Sequence, residues 1–160
     1  MYAARAGNLQ RLNFIAGLGA RVNMTSHLTA IYEKNWTALH FASWHGHTEC
    51  VRSLCDRGAM IDAQTEYGWT ALHWACCHGH LDVVRLLYER GAQIDLKNIS
   101  GWTALYVASY YNKIDIARYL CERGASTLLT GRGGETPYTI AYRYCGADSP
   151  MVHLLEAYPH

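Results

Sequence analysis

Residues 69–87 read Trp-Thr-Ala-Leu-His-Trp-Ala-Cys-Cys-His-Gly-His-Leu-Asp-Val-Val-Arg-Leu-Leu. Two short helices with a break between them are written in that stretch. Thr70 can cap the first, because a threonine hydroxyl accepts one of the orphan N–H groups of a helix start, and Ala71 to Cys76 runs on from it. His78-Gly79-His80 interrupts the helix, glycine tolerating the left-handed conformation that such a break needs. Leu81 to Arg90 then reads as a second helix. Leu81, Val84, Leu86 and Leu87 give it a broad apolar face, and Asp82 puts negative charge in its first turn. Gly91 ends it, and Ala92 to Asp95 reads as short and extended, leading into a turn of the kind that Tyr67-Gly68 signals one unit earlier.

The unit recurs. Trp-Thr-Ala-Leu stands at 36–39, 69–72 and 102–105, each copy 33 residues after the last. Glu-Thr-Pro-Tyr at 135–138 is a weaker fourth copy in the same register, since Thr136 follows Thr103 by another 33. A fixed period of this length is the signature of a repeat architecture. One helix pair cannot bury its apolar face alone, so stability comes from interfaces between neighbouring units, and such stacks usually serve as surfaces that hold other molecules.

The pattern resembles the ankyrin repeat. The residues that carry the likeness are Trp-Thr-Ala-Leu-His-Trp-Ala at 69–75, Gly79-His80, Asp82 to Leu87, and Gly91-Ala92. The family's usual proline after the threonine is replaced by Ala38, Ala71 and Ala104 and appears only as Pro137, while its usual histidine is His40 and His73 but Tyr106 and Thr139 in the later copies. Gly58, Gly91 and Gly124 each close a second helix; Gly19-Ala20 joins that column, and Gly7 matches Gly46 and Gly79. Gly19 to Gly58 spans 39 residues, so six extra are expected within Met24–Asn35 as an enlarged loop. Thr136–Tyr144 reads as a first helix, Ser149-Pro150 as a helix start, and Met151–Tyr158 as a last helix. The resemblance implies an all-α fold: an ankyrin-repeat solenoid of stacked helix-turn-helix units with hairpin-like loops. It is expected to form a single domain over 1–160, with a partial repeat at 1–31, repeats at 32–64, 65–97 and 98–130, and a modified terminal repeat at 131–160. Register places Met1 inside the first helix of its repeat, so a truncated array or a piece of a longer one is expected.

Composition narrows the class. Half of the 160 residues are apolar, enough for a sizeable core and too many for a disordered chain. The formal charge is +1 and no two Lys or Arg residues are adjacent, which argues against a nucleic-acid binder working through a dense basic face. No apolar stretch approaches the roughly 20 residues of a membrane helix. Met1 to Ala20 carries Arg5, Asn8, Gln10, Arg11 and Asn13 through its middle, unlike a signal peptide. The expected setting is the cytosol or nucleus, without membrane association. The six cysteines read as packing residues, since disulfide frameworks belong mostly to small secreted domains; Cys55, Tyr88 and Cys121 share one repeat column.

Reactive chemistry finds little support. His45-Gly46-His47 and His78-Gly79-His80 recur with Cys50, Cys76 and Cys77 nearby, but a metal needs three or four converging ligands, and Cys76-Cys77 lacks the spacer of a Cys-x-x-Cys site. In the family a Gly-His pair at a helix break satisfies backbone groups. A Cys–His nucleophile would need a thiolate, a base and an oxyanion pocket, and no such motif lies outside the repeat columns. Gly131-Arg132-Gly133-Gly134 is glycine-rich, but no Gly-Lys-Ser/Thr follows it. No catalytic residue, cofactor or metal is therefore expected, an enzyme or Cys/His metal protein remaining the minor alternative.

The resemblance places partner contacts on the loop tips and first helices, which line the concave side of ankyrin proteins. Carried over by register, the candidate partner-binding residues are Trp36, Tyr67, Trp69 and Trp102 in the loops, and Trp44, His45, Cys77, His78, Tyr110, Tyr111, Arg143 and Tyr144 on the helices. Tyr and Trp give large contact area at low entropic cost and dominate binding hot spots. The Trp36, Trp69 and Trp102 column is open to two readings, packing along the loops or facing a partner, whereas Arg57, Arg90 and Arg123 read as a solvated edge. The expected function is a non-catalytic module for a protein partner, present as a monomer or in a hetero-complex. The alternative is a structural subunit docked permanently in a larger assembly. Ankyrin proteins can also be substrates of asparaginyl hydroxylation, and Asn23 occupies the plausible hairpin position that Asp62 and Asp95 hold elsewhere.

Overall fold

The computed structural model describes residues 22–25 and 35–158. Among them lie eight helices and no strand: α1 Ala38–Trp44, α2 Thr48–Asp56, α3 Ala71–His78, α4 Leu81–Glu89, α5 Ala104–Tyr110, α6 Ile114–Glu122, α7 Pro137–Cys145 and α8 Pro150–Glu156. Contacts divide the chain into two compact units, Met1–Ala92 with α1 to α4 and Gln93–His160 with α5 to α8. In the first unit α1 pairs with α2 and α3 with α4, and the two hairpins stack α1 on α3 and α2 on α4. The second unit repeats the scheme, α5 on α7 and α6 on α8. The partial repeat expected at 1–31 and the enlarged loop expected within Met24–Asn35 fall almost wholly outside the described residues.

Each first helix starts on its threonine. Thr37, Thr70, Thr103 and Thr136 sit in extended backbone and accept the N–H of the third helical residue, His40, His73, Tyr106 and Thr139 respectively. In three copies the bond is returned. His40 Nδ1 accepts the Thr37 N–H at 2.9 Å, His73 Nδ1 that of Thr70 at 3.2 Å, and Thr139 Oγ1 that of Thr136 at 2.8 Å. This reciprocal box needs a short acceptor three residues in. Imidazole and threonine supply one; Tyr106, whose hydroxyl is at the far end of its ring, has no such returned bond. The second helices α2, α4 and α6 have no side-chain cap and carry Glu49, Asp82 and Asp115 in their first turns instead.

Three columns of the repeat have positive φ, one of them the glycines that follow the second helices, Gly58 (80°), Gly91 (92°) and Gly124 (84°). At the helix break the residues are Gly46 (72°), Gly79 (84°) and Asn112 (53°); at the loop tip, Asn35 (63°), Gly68 (74°), Gly101 (77°) and Gly134 (78°). Where glycine is replaced it is by asparagine, the side chain best able to tolerate that region. At Gly46 the site is also crowded, since a Cβ there would stand 2.5 Å from the His80 ring. His80 lies across the break of the preceding repeat, with its Nε2 2.9 Å from the carbonyl oxygen of Trp44. Loops are tied by one recurrent contact: Asn23 Oδ1 accepts the Met60 N–H at 2.7 Å, and Asp95 Oδ1 accepts the Ser126 N–H at 3.0 Å.

Burial follows the helix pattern with two differences. In α4 the buried stripe is Val83, Val84, Leu86 and Leu87; Leu81, at the first helical position, is half-buried. Each fully buried aliphatic side chain stabilises the stack by about 1.5–3 kcal/mol. The last helix starts at Pro150 and stops at Glu156, short of Tyr158, because a residue before proline is pushed away from α backbone, and Pro159 follows. Ala92 to Asp95 holds a turn at Ile94-Asp95 and forms no strand. The arginine column is engaged as well as solvated: Arg90 pairs with Asp56 at 2.6 Å and Arg123 lies over the Tyr119 ring.

His40 is almost wholly buried and bonded on both nitrogens, its Nε2 lying 2.9 Å from the Ala63 carbonyl oxygen. Since Nδ1 accepts, Nε2 carries the proton, and charging the ring would set a second N–H against that of Thr37. Burial pulls the ring down from 6.5 to about 4. Between those values the unfolded chain takes up a proton that the folded ring refuses, so this contribution is complete above pH 6.5 and is lost as pH falls toward 4. The wild-type unfolding temperature is expected to drop from about pH 7 to about pH 4.5. The drop should be smaller in His40→Gln, which keeps an acceptor at the third helical position but does not titrate; equal drops would remove His40 as the cause. Gly58, with φ of 80° and open space around it, provides a control for Gly46. Gly58→Ala is expected to cost about 1–2 kcal/mol in urea unfolding, and Gly46→Ala at least about 1 kcal/mol more, from overpacking against His80. Equal losses would show that the His80 contact contributes nothing.

Candidate functional site

The loop tips that precede the first helices are closed by matching backbone bonds. Thr65 donates to the Trp69 carbonyl, Asn98 to that of Trp102 and Gly131 to that of Glu135, at 2.9–3.0 Å. Each bond turns the chain so that the residue before the capping threonine meets the first helix. At 131–134 the turn uses up the amides that a phosphate would need: Gly131 and Gly134 donate within the turn and Arg132 donates to Ser100 O.

In the first unit the indoles pack on one another. Trp74 stacks on Trp69 at 4.3 Å between centroids and on Trp44 at 4.7 Å, and Trp36 meets it at 4.7 Å. Trp44 is also met by Trp36 at 5.0 Å and by the His78 ring at 4.8 Å. Trp36 is only 2% exposed, so for this member of the tryptophan column the packing reading holds and no ring face is left for a partner. Trp44, Trp69 and His78 are half-buried in the cluster, as is Cys77 on the same helix. His45 is exposed and stacks on His47, and Tyr67 stands out from its loop tip, 40% exposed.

Trp74 is the hub of this cluster and was not among the candidates read from the sequence. The signal was present, since its column holds Phe41 and Trp74 where the later copies carry Val107 and Ile140. Its Nε1 is buried with no hydrogen-bond partner among the described residues, which marks the ring as serving by stacking area.

The second unit is more open. Trp102 stacks on Tyr106 at 5.1 Å and on Tyr110 at 5.6 Å; Tyr110 meets Tyr111 edge-on at 4.9 Å and Tyr144 at 4.8 Å. Tyr106 is buried at the base, Trp102 and Tyr110 are half-buried, and Tyr111 and Tyr144 are 42% and 58% exposed. Arg143 is exposed beside them and pairs with Glu135 at 2.7 Å. The structure thus brings Trp102, Tyr110, Tyr111, Arg143 and Tyr144 together in one patch, and Trp36, Trp44, Trp69 and His78 in another.

Nucleophilic and metal chemistry have little to work with here. No disulfide joins the six cysteines, and Cys50, Cys76 and Cys121 are buried. Burial pushes the Cys121 thiol up to about 11 and raises Cys50, Cys55, Cys76 and Cys145 too, away from the thiolate that attacks or binds metal. Among the described residues no group of three or more His, Cys, Asp or Glu side chains is placed to hold a metal ion, and no helix is long and apolar enough to cross a membrane. The Asn23 amide is engaged at both ends, its nitrogen donating to Gly58 O at 3.2 Å.

Comparison with known families agrees with the architecture. A family model described as ankyrin repeats (3 copies) matches residues 1–98, and one described as ankyrin repeats (many copies) matches residues 101–141. No curated protein matches the sequence at a significant level. With the 33-residue step, the capped first helices and the stacked hairpins already established, these matches place the chain: it belongs to the ankyrin-repeat family.

Proposed function

We propose that this chain is a non-catalytic interaction module that holds a protein partner on the face built by its loop tips and first helices. Ankyrin repeats are generally protein-interaction modules, and generally non-catalytic. The observation that carries the reading to a surface is the contrast between packed and open rings. Tyr111 and Tyr144 keep 42% and 58% of their surface in water while leaning on Tyr110, which is itself held by Trp102. Rings fixed from beneath and bare on top lose little entropy on binding, the condition for a hot spot. In the first unit Tyr67 and His45 stand out beside an indole cluster already rigid through its own stacking. Such a module is suited to the cytosol or nucleus, where its six thiols would stay reduced.

The test is a paired capture experiment. Wild type and Tyr111→Ala/Tyr144→Ala are used as bait, and retained proteins are identified by mass spectrometry and then measured singly. The double variant is expected to weaken a true partner by more than about 2 kcal/mol, roughly thirtyfold, with its unfolding temperature almost unchanged. Partners that bind both baits equally would overturn the proposed face.

A further inference from the structure

The ring patch of the second unit carries a charge bias that its composition hides. Residues 93–160 contain six Lys or Arg (97, 113, 118, 123, 132, 143) and six Asp or Glu (95, 115, 122, 135, 148, 156), a formal net charge of zero. They are not evenly spread. Lys97, Arg132 and Arg143 belong to the loop-tip and first-helix side of this unit, where Glu135 is the carboxylate beside them. Asp115 and Glu122 lie on α6, Glu156 on α8, Asp148 in the turn before α8, and Asp95 is taken up by the Ser126 N–H.

Named contacts tie together the loop tips that carry Lys97 and Arg132. Lys97 Nζ donates to Thr130 O at 3.0 Å, and the Arg132 N–H donates to Ser100 O at 2.9 Å, so the two loop tips are pinned side by side. Arg143 reaches back to Glu135 at the foot of the second tip, and Tyr144, its neighbour in sequence, meets Tyr110. The Arg143–Glu135 pair is one contact, from Nη1 to Oε1, and the Arg143 side chain remains 60% exposed against 25% for Glu135. A guanidinium presents five N–H donors in a planar fork, so a single bond to Glu135 orients the group and leaves most of the fork facing outward. A carboxylate matches that fork with two parallel bonds. The exposed Tyr144 hydroxyl adds a donor of the same kind.

We infer that the partner segment received by this patch is acidic: a stretch of protein in which Asp or Glu flanks an apolar or aromatic side chain. The inference rests on the reading of the face given above. The apolar side chain lies against Tyr111 and Tyr144, and the flanking carboxylates meet Arg143 and Arg132. A basic segment would meet Lys97, Arg132 and the Arg143–Glu135 pair, a positive balance. A nucleic acid is disfavoured, because three cations are too few for the phosphate contacts from which such binding draws its strength. Rim charges of this type act mostly on association rate and salt dependence, so the selectivity should be strongest at low ionic strength.

The experiment uses the full chain and a displayed library of random peptides as the probe. Wild type is the bait, and selected peptides are then measured by fluorescence anisotropy against Tyr111→Ala/Tyr144→Ala and Arg132→Glu/Arg143→Glu, at low and at high salt. Selected peptides are expected to be enriched in Asp and Glu over the starting library. Charge reversal should weaken them at least about tenfold, and raised salt should weaken them on wild type. Peptides that depend on the tyrosines but are neutral or basic, or that survive charge reversal, would overturn the acidic partner and leave the face standing. Peptides that ignore the tyrosine variant, or an absence of any selected peptide, would overturn the face and the acidic partner together. A random single-stranded oligonucleotide that binds wild type more tightly than every selected peptide would also sink it. Should Arg132→Glu/Arg143→Glu unfold, Arg132→Gln/Arg143→Gln carries the same comparison, with a smaller loss expected.

Discussion

Helices of seven to nine residues do not stand alone in water, and every helix described here is of that length. All else in this molecule answers that constraint. A helix this short needs its ends satisfied and one whole face covered. The threonine box supplies the start, left-handed residues at the break and just after the second helices supply the stops, and the neighbouring hairpin supplies the cover. Because each unit meets the same need in the same way, the same residues return every 33 positions. α5 lacks the returned half of its box and still forms, with Ala104 to Ser109 all buried.

The buried polar side chains follow from the same economy of length. His40 and His73 cap their helices from inside the core, whereas Thr139, at the same position of α7, caps from an exposed site. The ring nitrogens of the two histidines are bonded, so burial costs little as long as the rings stay neutral. The cysteines are the complement: they are small and buried or half-buried, and burial pushes Cys50, Cys55, Cys76, Cys121 and Cys145 away from ionisation. Reactive residue types are thus plentiful in this chain, and packing has used most of them for other purposes.

The two units present different ring surfaces. In the first, four tryptophans and His78 close on each other, giving a stiff support with Tyr67 and His45 outermost. In the second, fewer indoles leave tyrosines in the open with cations beside them. A rigid ring layer with bare tyrosine edges suits recognition by shape and by a few well-placed donors.

The period, the helix starts, the break and the family were legible in the residues alone, because caps and positive-φ positions are local properties of a few consecutive side chains. The fate of individual rings was not. Trp36, Trp69 and Trp102 share one column, yet the first is sealed and the other two are half-buried. Trp74, which ordered the first patch, looked like one more apolar residue of a helix. Whether a ring is covered depends on the side chains one repeat away and one turn along the facing helix. At those positions Phe41 and Trp74 close the first unit, whereas Val107 and Ile140 leave the second more open. A residue's own position could name the face it sits on, but only the packed neighbours decided how much of it water still reaches.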